Sequence, residues 1–341
     1  MKKDIILVTG GAGYIGSVLV RQLLDKGEKV RVYDKLYFGD GSLADVRSRI
    51  DLVAGDVRDF DPRALDGVKA VAHLGSLSND PTAEFDPKAN HEINFEGTMR
   101  VAEACKKKGV SRFTFASSCA IIGFHVNEVA DENFKPNPQS EYAQSKLDAE
   151  NGLKTLVSKD FCPVILRQAT VYGFSPRMRY DLVVNTMTKD AYDKGEIFVY
   201  SAGEMWRPLV DVTDVAQAHI LCLSAPEDKV RGQVFNIVHK NYKILELAYF
   251  INDCLKSLKE TRVEVLLGTK ETRSYRVTGE KIGKVLGYKT SATVSDSARN
   301  IFNILRSGRH TDFSNPIYYN IDWMKLLSDM ENRLKIIGRV F

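Results

Sequence analysis

Val8–Gly16 reads VTGGAGYIG, four glycines within seven residues placed directly behind the apolar run Ile5–Val8. The segment that follows, YIGSVLVRQLLDKG, carries helical periodicity and ends on Gly27, as a helix C-cap should. A strand, a glycine turn and a helix are therefore expected in that order. Missing side chains at Gly10, Gly13 and Gly16 let the backbone turn tightly and approach a diphosphate, whose charge the N–H groups at a helix start can meet. Two residues separate each of these glycines from the next, a departure from the commoner Gly-x-Gly-x-x-Gly spacing. Taken alone, the stretch fits either a ligand loop or a sharp turn without a ligand.

Outward from the glycines, short β-rich runs alternate with helical patterns: DIILVTG, KVRVYD, DLVAGD, AVAHLG, RFTFASS and PVILRQA. Such alternation predicts an α/β fold, a doubly wound parallel sheet covered on both faces. After ATVYGFSPR the rhythm breaks, and residues 174–208 show no clear βαβ repeat. GQVFNIV (Gly232–Val238) reads as one more strand returning to the sheet, and KILELAYFINDCLKSL as an amphipathic helix beyond it. The expected division is a dinucleotide-binding domain over 1–172 with 209–240 returning to it, a smaller interleaved C-terminal substrate lobe from 173–208 and 241–320, and a helical tail over 321–341. In that tail Trp323, Leu326, Leu327, Met330 and Leu334 fall at helical spacing, which predicts packing on its own subunit.

Composition narrows the function classes. Of 341 residues, 44% are hydrophobic and 27% charged, ordinary for a globular enzyme, and no apolar run approaches the ~18 residues that span a bilayer. MKKDIILVTGG passes straight into glycines and reads as a first strand instead of a signal peptide. Five cysteines, odd in number and never in Cys-x-x-Cys spacing, argue against a disulfide framework or a metal site and fit a reducing cytoplasm. A net charge of +4 is modest, and CKKKG reads as a solvated helix end. Neither nucleic acid nor membrane is expected as a partner.

Asp34 ends the second strand about 20 residues past the glycines, where a carboxylate accepts hydrogen bonds from the ribose of an adenosine. It would repel a 2′-phosphate, which favours NAD over NADP, although Lys35 beside it weakens the inference. Asp56, closing the third strand, could reach the adenine or merely cap a helix. Tyr142 and Lys146 in EYAQSK lie four apart, so on a helix they share a face, and the ammonium favours the ionised phenol. A free phenol near pKa ~10 is a poor base at neutral pH. A neighbouring Lys⁺ and a cationic nicotinamide bring it toward a working range, and Tyr142 is the expected general acid/base. His73 and His219 lie on apolar elements and read as packed, satisfied residues, and Cys119 as a small buried thiol.

The glycines together with AGDVRD, HEINFEGTMRVAEACKKKGVSRFTFASS and EYAQSK resemble the extended short-chain dehydrogenase/reductase superfamily, in its NAD-dependent nucleotide-sugar epimerase/dehydratase branch. ATVYGFSPRMRYDLVVN, WRPLVDVTDVAQAH and TRSYRVTGEKIGKVLGY resemble the nucleoside-diphosphate-sugar part of that branch, close to GDP-heptose 4-dehydrogenase-like and UDP-glucose 4-epimerase-like members. The resemblance reaches to about residue 300. It implies a Rossmann fold, and NAD contacts from Gly10, Gly13, Tyr14, Ile15 and Gly16, from Asp34, Lys35, Asp56 and Val57, and from Leu74, Gly75, Ser76 and Asn94, besides Tyr142 and Lys146. Lys146 would also bond the nicotinamide ribose.

Ser118, ending the fifth strand, matches the family's Ser/Thr that bonds the reacting hydroxyl, with Ser117 as the alternative. In the 4,6-dehydratases an Asp-Glu pair follows that position. Cys119 and Ala120 stand there instead, which demotes dehydration. For the substrate the resemblance points to Ser78, to Arg207 in WRPLV and to Arg273 in TRSYRV, whose forks suit phosphate oxygens. Arg177, Arg179 and Asn185 are added, the two arginines being as readily surface or lobe-bridging ion pairs. Thr170 stands where many 4-epimerases carry asparagine, and Asp211 where they carry histidine, so sugar and base stay open. The expected activity is carbon-4 epimerisation of a nucleoside-diphosphate sugar with hydride passing to NAD. The alternatives are a 4-dehydrogenase/reductase and, from another class, a non-catalytic NAD-sensing regulator. Helices near 88–108 and 139–157 have family counterparts that pair across a two-fold axis, so a homodimer is expected.

Overall fold

Seven of the apolar runs become seven parallel strands. The computed structural model describes residues 3–125, 128–200, 203–266 and 274–337. Through the first half the chain runs β1 (Ile5–Thr9), α1 (Tyr14–Asp25), β2 (Lys29–Asp34), β3 (Ile50–Ala54), β4 (Val68–His73), α2 (Asp80–Phe85), α3 (Pro87–His91), α4 (Gly97–Lys107), β5 (Arg112–Ser118), β6 (Val129–Ala130), α5 (Glu141–Leu156) and β7 (Cys162–Gln168). It continues as β8 (Thr170–Tyr172), α6 (Val183–Lys194), β9 (Glu196–Tyr200), β10 (Trp206–Asp211), α7 (Val212–Ser224), α8 (Glu227–Val230), β11 (Val234–Ile237) and β12 (Lys240–Lys243). The last elements are α9 (Ile244–Leu255), β13 (Arg262–Leu266), β14 (Arg276–Val277), α10 (Glu280–Leu286), α11 (Val294–Arg306) and α12 (Asn320–Ile337).

The main sheet has the order β11-β7-β5-β4-β1-β2-β3, every neighbouring pair parallel. From β1 the chain winds outward to β3, then crosses back and winds the other way from β4. The order thus reverses between β1 and β4, and a crevice opens there at the carboxyl ends of the strands. The backbones meet closely at this point. A Cβ on Gly10, whose φ is +68°, would lie 2.8 Å from the backbone of Leu74 and Gly75 just past β4. Only glycine serves there, for both conformation and space. A Cβ on Gly16 would collide with the Gly10 carbonyl, which is what seats α1 against its own turn.

A second group of strands stands beyond the carboxyl edge: β10 pairs with β8 in parallel and with β12 antiparallel, β13 with β9, and β14 with β6. Its core gathers Tyr172, Val184, Met187, Leu209, Leu247, Ile251 and Phe302. The segment read as lacking a repeat holds a regular helix and strand, α6 and β9. Their start gives no sequence signal because Leu182, at the N-cap, offers no side-chain acceptor. The tail is helical through Ile337, with Met324 packed on the core and Leu327 half-buried. Trp323 Nε1 donates to the Tyr37 carbonyl at 2.6 Å, whereas Leu326, Met330 and Leu334 are exposed. Among the described residues no helix is long and apolar enough to cross a membrane.

One buried cluster joins α5 to the sheet. Glu150, fully buried, accepts from Arg167 Nε at 2.9 Å and Nη2 at 2.8 Å, and from the Ser117 hydroxyl at 2.6 Å. It lies one helical turn beyond Lys146 and two beyond Tyr142, on the same face. Removing one partner of such a pair strands the other charge out of water, at about 3–5 kcal/mol. Glu150→Ala should lower the unfolding free energy by roughly that amount in urea titrations. A loss below about 1 kcal/mol would show that the pair does not hold the helix in place.

Candidate active site

A cavity of ≈ 650 Å³ follows the crevice from the glycine turn to the second group of strands. At one end it is walled by Gly10, Gly13, Tyr14, Ile15 and Gly16. Helix α1 opens at Gly13 with no side-chain cap, so its first N–H groups keep their donor capacity. Asp34 ties the turn to the end of β2, accepting from Ala12 N at 2.9 Å and from Leu36 N at 2.7 Å. Burial raises its pKa, and those two N–H bonds partly offset the rise. Each carboxylate oxygen accepts one backbone bond, which leaves lone pairs for ribose hydroxyls.

Lys35 and Asp56 form the rim. Lys35 Nζ is 3.5 Å from the Asp56 carboxylate, with half of its side chain exposed. Asp56 has two places in the structure. It lines the cavity, and it caps the turn Val57–Asp59 by accepting from Arg58 N at 2.9 Å. Burial works against its charge, but the Arg58 guanidinium outweighs this and holds the carboxyl below its usual range. Val57, Leu74, Gly75 and Ser76 also face the cavity. Asn94 does not. It is completely buried behind the wall, accepting from Leu77 N at 2.8 Å and donating to the Leu77 carbonyl at 3.0 Å. Its amide also donates to Asn90 Oδ1 at 2.7 Å, so it braces the loop after β4 from behind.

Ser118, Tyr142 and Lys146 converge on the same cavity from the end of β5 and the first turns of α5. Ser140 starts that helix, its hydroxyl accepting from Ala143 N at 3.2 Å. Lys146 is 2% exposed, and its Nζ donates to Ser76 Oγ and to the Ala116 carbonyl, both at 3.0 Å. It lies 5.8 Å from the centre of the Tyr142 ring. Burial pushes the amine down to about 7. Ser118 Oγ accepts from Ala120 N at 3.1 Å and keeps its proton to donate. Ser117, the alternative, is committed to Glu150. Cys119 turns inward to the Arg167 carbonyl at 3.2 Å, and burial pushes its thiol up, away from the reactive thiolate.

His73 is bracketed by Thr9 and Thr98, and His219 by Thr114 and Gln168. Burial drives both down to about 3, so they are neutral, packed residues.

Ser78, Arg177, Arg179 and Arg207 also line the cavity. Arg179 is held by Asp181 at 2.8 and 2.9 Å and donates to Ser78 Oγ at 3.2 Å. Arg177 donates to the Asn320 side chain at 2.6 Å and lies 3.6 Å from the centre of the Phe38 ring. Asn185 lies behind this wall, fully buried. It accepts from Gly173 N at 3.0 Å and donates to Tyr14 OH and the Arg179 carbonyl, so it braces the wall and does not line it. Arg273 lies outside the described residues. Phe38, Asn79, Asp181 and Asn320 line the cavity without having been singled out. Asn79 has φ +88°, a strained conformation for a residue with a side chain, and donates to Asp181 at 3.3 Å.

Comparison with known proteins agrees with this geometry. The family model for the NAD dependent epimerase/dehydratase family matches residues 6–238. A putative UDP-glucose 4-epimerase of Methanocaldococcus jannaschii is 27% identical over 90% of this chain and 100% of its own. The UDP-glucose 4-epimerase of Thermotoga maritima, solved with UDP-glucose, superposes with a TM-score of 0.79 at 25% identity, covering 90% of this chain and 100% of that one. That of Thermus thermophilus, solved with NAD, gives 0.77 at 26% identity over 89% and 99%. The residues at the β1–β4 crevice suit NAD: an uncapped helix start for a diphosphate, and a carboxylate at the end of β2 with acceptor capacity to spare. The chain belongs to the NAD-dependent epimerase/dehydratase family, and its cofactor is NAD.

Proposed function

We propose that the enzyme inverts carbon 4 of a nucleoside-diphosphate sugar, with Tyr142 as general acid/base. The observation that carries this reading is the convergence of Ser118, Tyr142 and buried Lys146 on the cavity that also holds the glycine turn. Asp34, the turn and the loop after β4 bind the cofactor. NAD, when bound, supplies the hydride acceptor. Ser118 donates to the sugar hydroxyl oxygen and orients it, and Tyr142 takes the hydroxyl proton. Lys146, in its protonated form, stabilises the phenolate that does so. Once the hydride has been given back to the opposite face of the keto sugar, returning the proton from Tyr142 closes the cycle on the inverted sugar. Cys119 and Ala120 after Ser118 supply neither acid nor base, which supports epimerisation over dehydration.

A thermal-shift screen of UDP-, GDP-, dTDP- and CDP-sugars identifies the nucleotide, because a ligand that binds only the native state raises its stability. Product analysis on the best stabiliser should give the 4-epimer with no net NADH. Stoichiometric keto sugar would instead make the enzyme a 4-dehydrogenase, and absence of turnover with every sugar would sink the catalytic reading. On the active sugar, Tyr142→Phe should keep the melting temperature and lose about 10²–10⁴ in turnover. Comparable activity would remove Tyr142 from the mechanism.

Lys146 gives a pH signature. The unfolded chain holds this proton up to about pH 10.4, the folded one only to about 7. Between those values the unfolded state binds more protons, so stability rises with pH, and below the folded value the burial cost is present in full. Compared with Lys146→Met, the cofactor-free wild-type protein should gain stability from pH 7 to 9, at most ~1.4 kcal/mol per unit. Urea midpoints that run parallel for the two proteins would show that the amine is not perturbed.

The proposal extends to a homodimer in which α5 and the stretch from α3 to α4, continuous through the turn Glu92–Glu96, meet their copies across a two-fold axis. Light scattering should give twice the chain mass. A monomer with full activity would defeat this part.

A further inference from the structure

The two arginines of SPRMRYD enter the cavity in different electrostatic states. Arg179 is neutralised by Asp181 at 2.8 Å. Arg177 is 7% exposed and makes no ion pair among the described residues, and its Nε has no hydrogen-bond partner among them. Burial and, after it, the neighbouring Arg179 push its guanidinium down to about 9. Asp181, bonded to Arg179, offsets this only in part, and an anion delivered by a ligand relieves a buried cation that is short of counter-charge.

Its neighbours say which anion. Arg177 N donates to Ser175 Oγ at 3.3 Å, and that hydroxyl donates to the Tyr14 carbonyl in the first turn of α1 at 2.7 Å. Tyr14 OH donates in turn to the Gly173 carbonyl at 2.6 Å. The guanidinium stacks on Phe38, four residues past Asp34. Segment 173–177 is thus fastened to the start of α1 and to the stretch after β2, both on the half of the cavity given to the dinucleotide. Arg207 stands apart on β10, in the other group of strands. The start of a helix offers about half an elementary charge, against the two negative charges of a diphosphate. A full guanidinium charge beside it makes up much of the difference, in fork geometry.

We infer that Arg177, clamped between Phe38 and Asn320, is a ligand of the NAD diphosphate and not of the sugar nucleotide. The clamp makes α12 part of the cofactor site. Asn320 accepts from Arg177, donates to Ser78 Oγ at 2.8 Å, and through its backbone N–H donates to Asp181 at 3.1 Å. One residue at the head of the helix thereby fixes three segments of the wall.

The test compares two affinities in the full chain, NAD for the cofactor-free protein and UDP, as a nucleoside-diphosphate probe, for the NAD-loaded protein. Arg177→Gln should weaken NAD about 10- to 100-fold, with a shallower salt dependence, and leave UDP within about threefold. Asn320→Ala, which frees the clamp but keeps the charge, should weaken NAD by a smaller factor, chiefly through faster release. Should Arg177→Gln not yield folded protein, Arg177→Lys reads the same pair of affinities. UDP binding that falls as far as NAD binding, or farther, overturns the assignment. So does NAD affinity that stays at the wild-type value.

Discussion

Behind the strand ends, the Glu150 carboxylate and the Arg167 guanidinium are both shut away from solvent, and that constraint leaves α5 one way to sit on the sheet. A slip of one residue along the helix turns its face by about 100° and would part the two charges from each other. Such a pair adds little net stability over an apolar contact of the same volume. What it supplies is exclusion of alternatives. Ser117, bonding the same carboxylate, fixes β5 as well, so its neighbour Ser118, pointing the other way along the strand, arrives at the cavity in register with Tyr142 and Lys146. Three residues from two elements are positioned by one ion pair that touches none of the chemistry.

Much of this was legible in the sequence, and for identifiable reasons. The seven runs that became the main sheet are apolar, those at its centre enough to be buried on both faces, and glycines or helical spacing bound them. Tyr142 and Lys146 could be placed on one helix face because four residues make about one turn. Asn94 and Asn185 stand behind the cavity wall, and an amide's place along the chain does not tell which side of a wall it faces. Both are consumed by backbone groups that only the folded chain brings near. Phe38 and Asn320 gave no local signal at all. Phe38 matters through Arg177 and Trp323, and Asn320 through Ser78, 242 residues away. Helix α6 went unseen because its start has no polar cap to announce it.

The two wall arginines show how partners decide the behaviour of one residue type. Arg179 and Arg177 are two residues apart, equally buried and equally close to the cavity. One has Asp181 and the other an aromatic face and an amide. An aromatic face and a neutral amide orient a guanidinium without cancelling its charge. Position in the chain does not distinguish the two, and the counter-ion does.

The strands of the second group are not consecutive. Between β10 and β12 the chain returns to the main sheet to form α7 and β11, and Asp211 at the end of β10 caps α7 while accepting from Ser297 of α11. No single cut in the chain separates the second group of strands from the main sheet. The substrate end is therefore not a cassette that can be exchanged whole between relatives. Change at that end comes one wall position at a time, at residues such as Tyr200, Ile244 and Tyr275, within a framework that stays continuous through both halves.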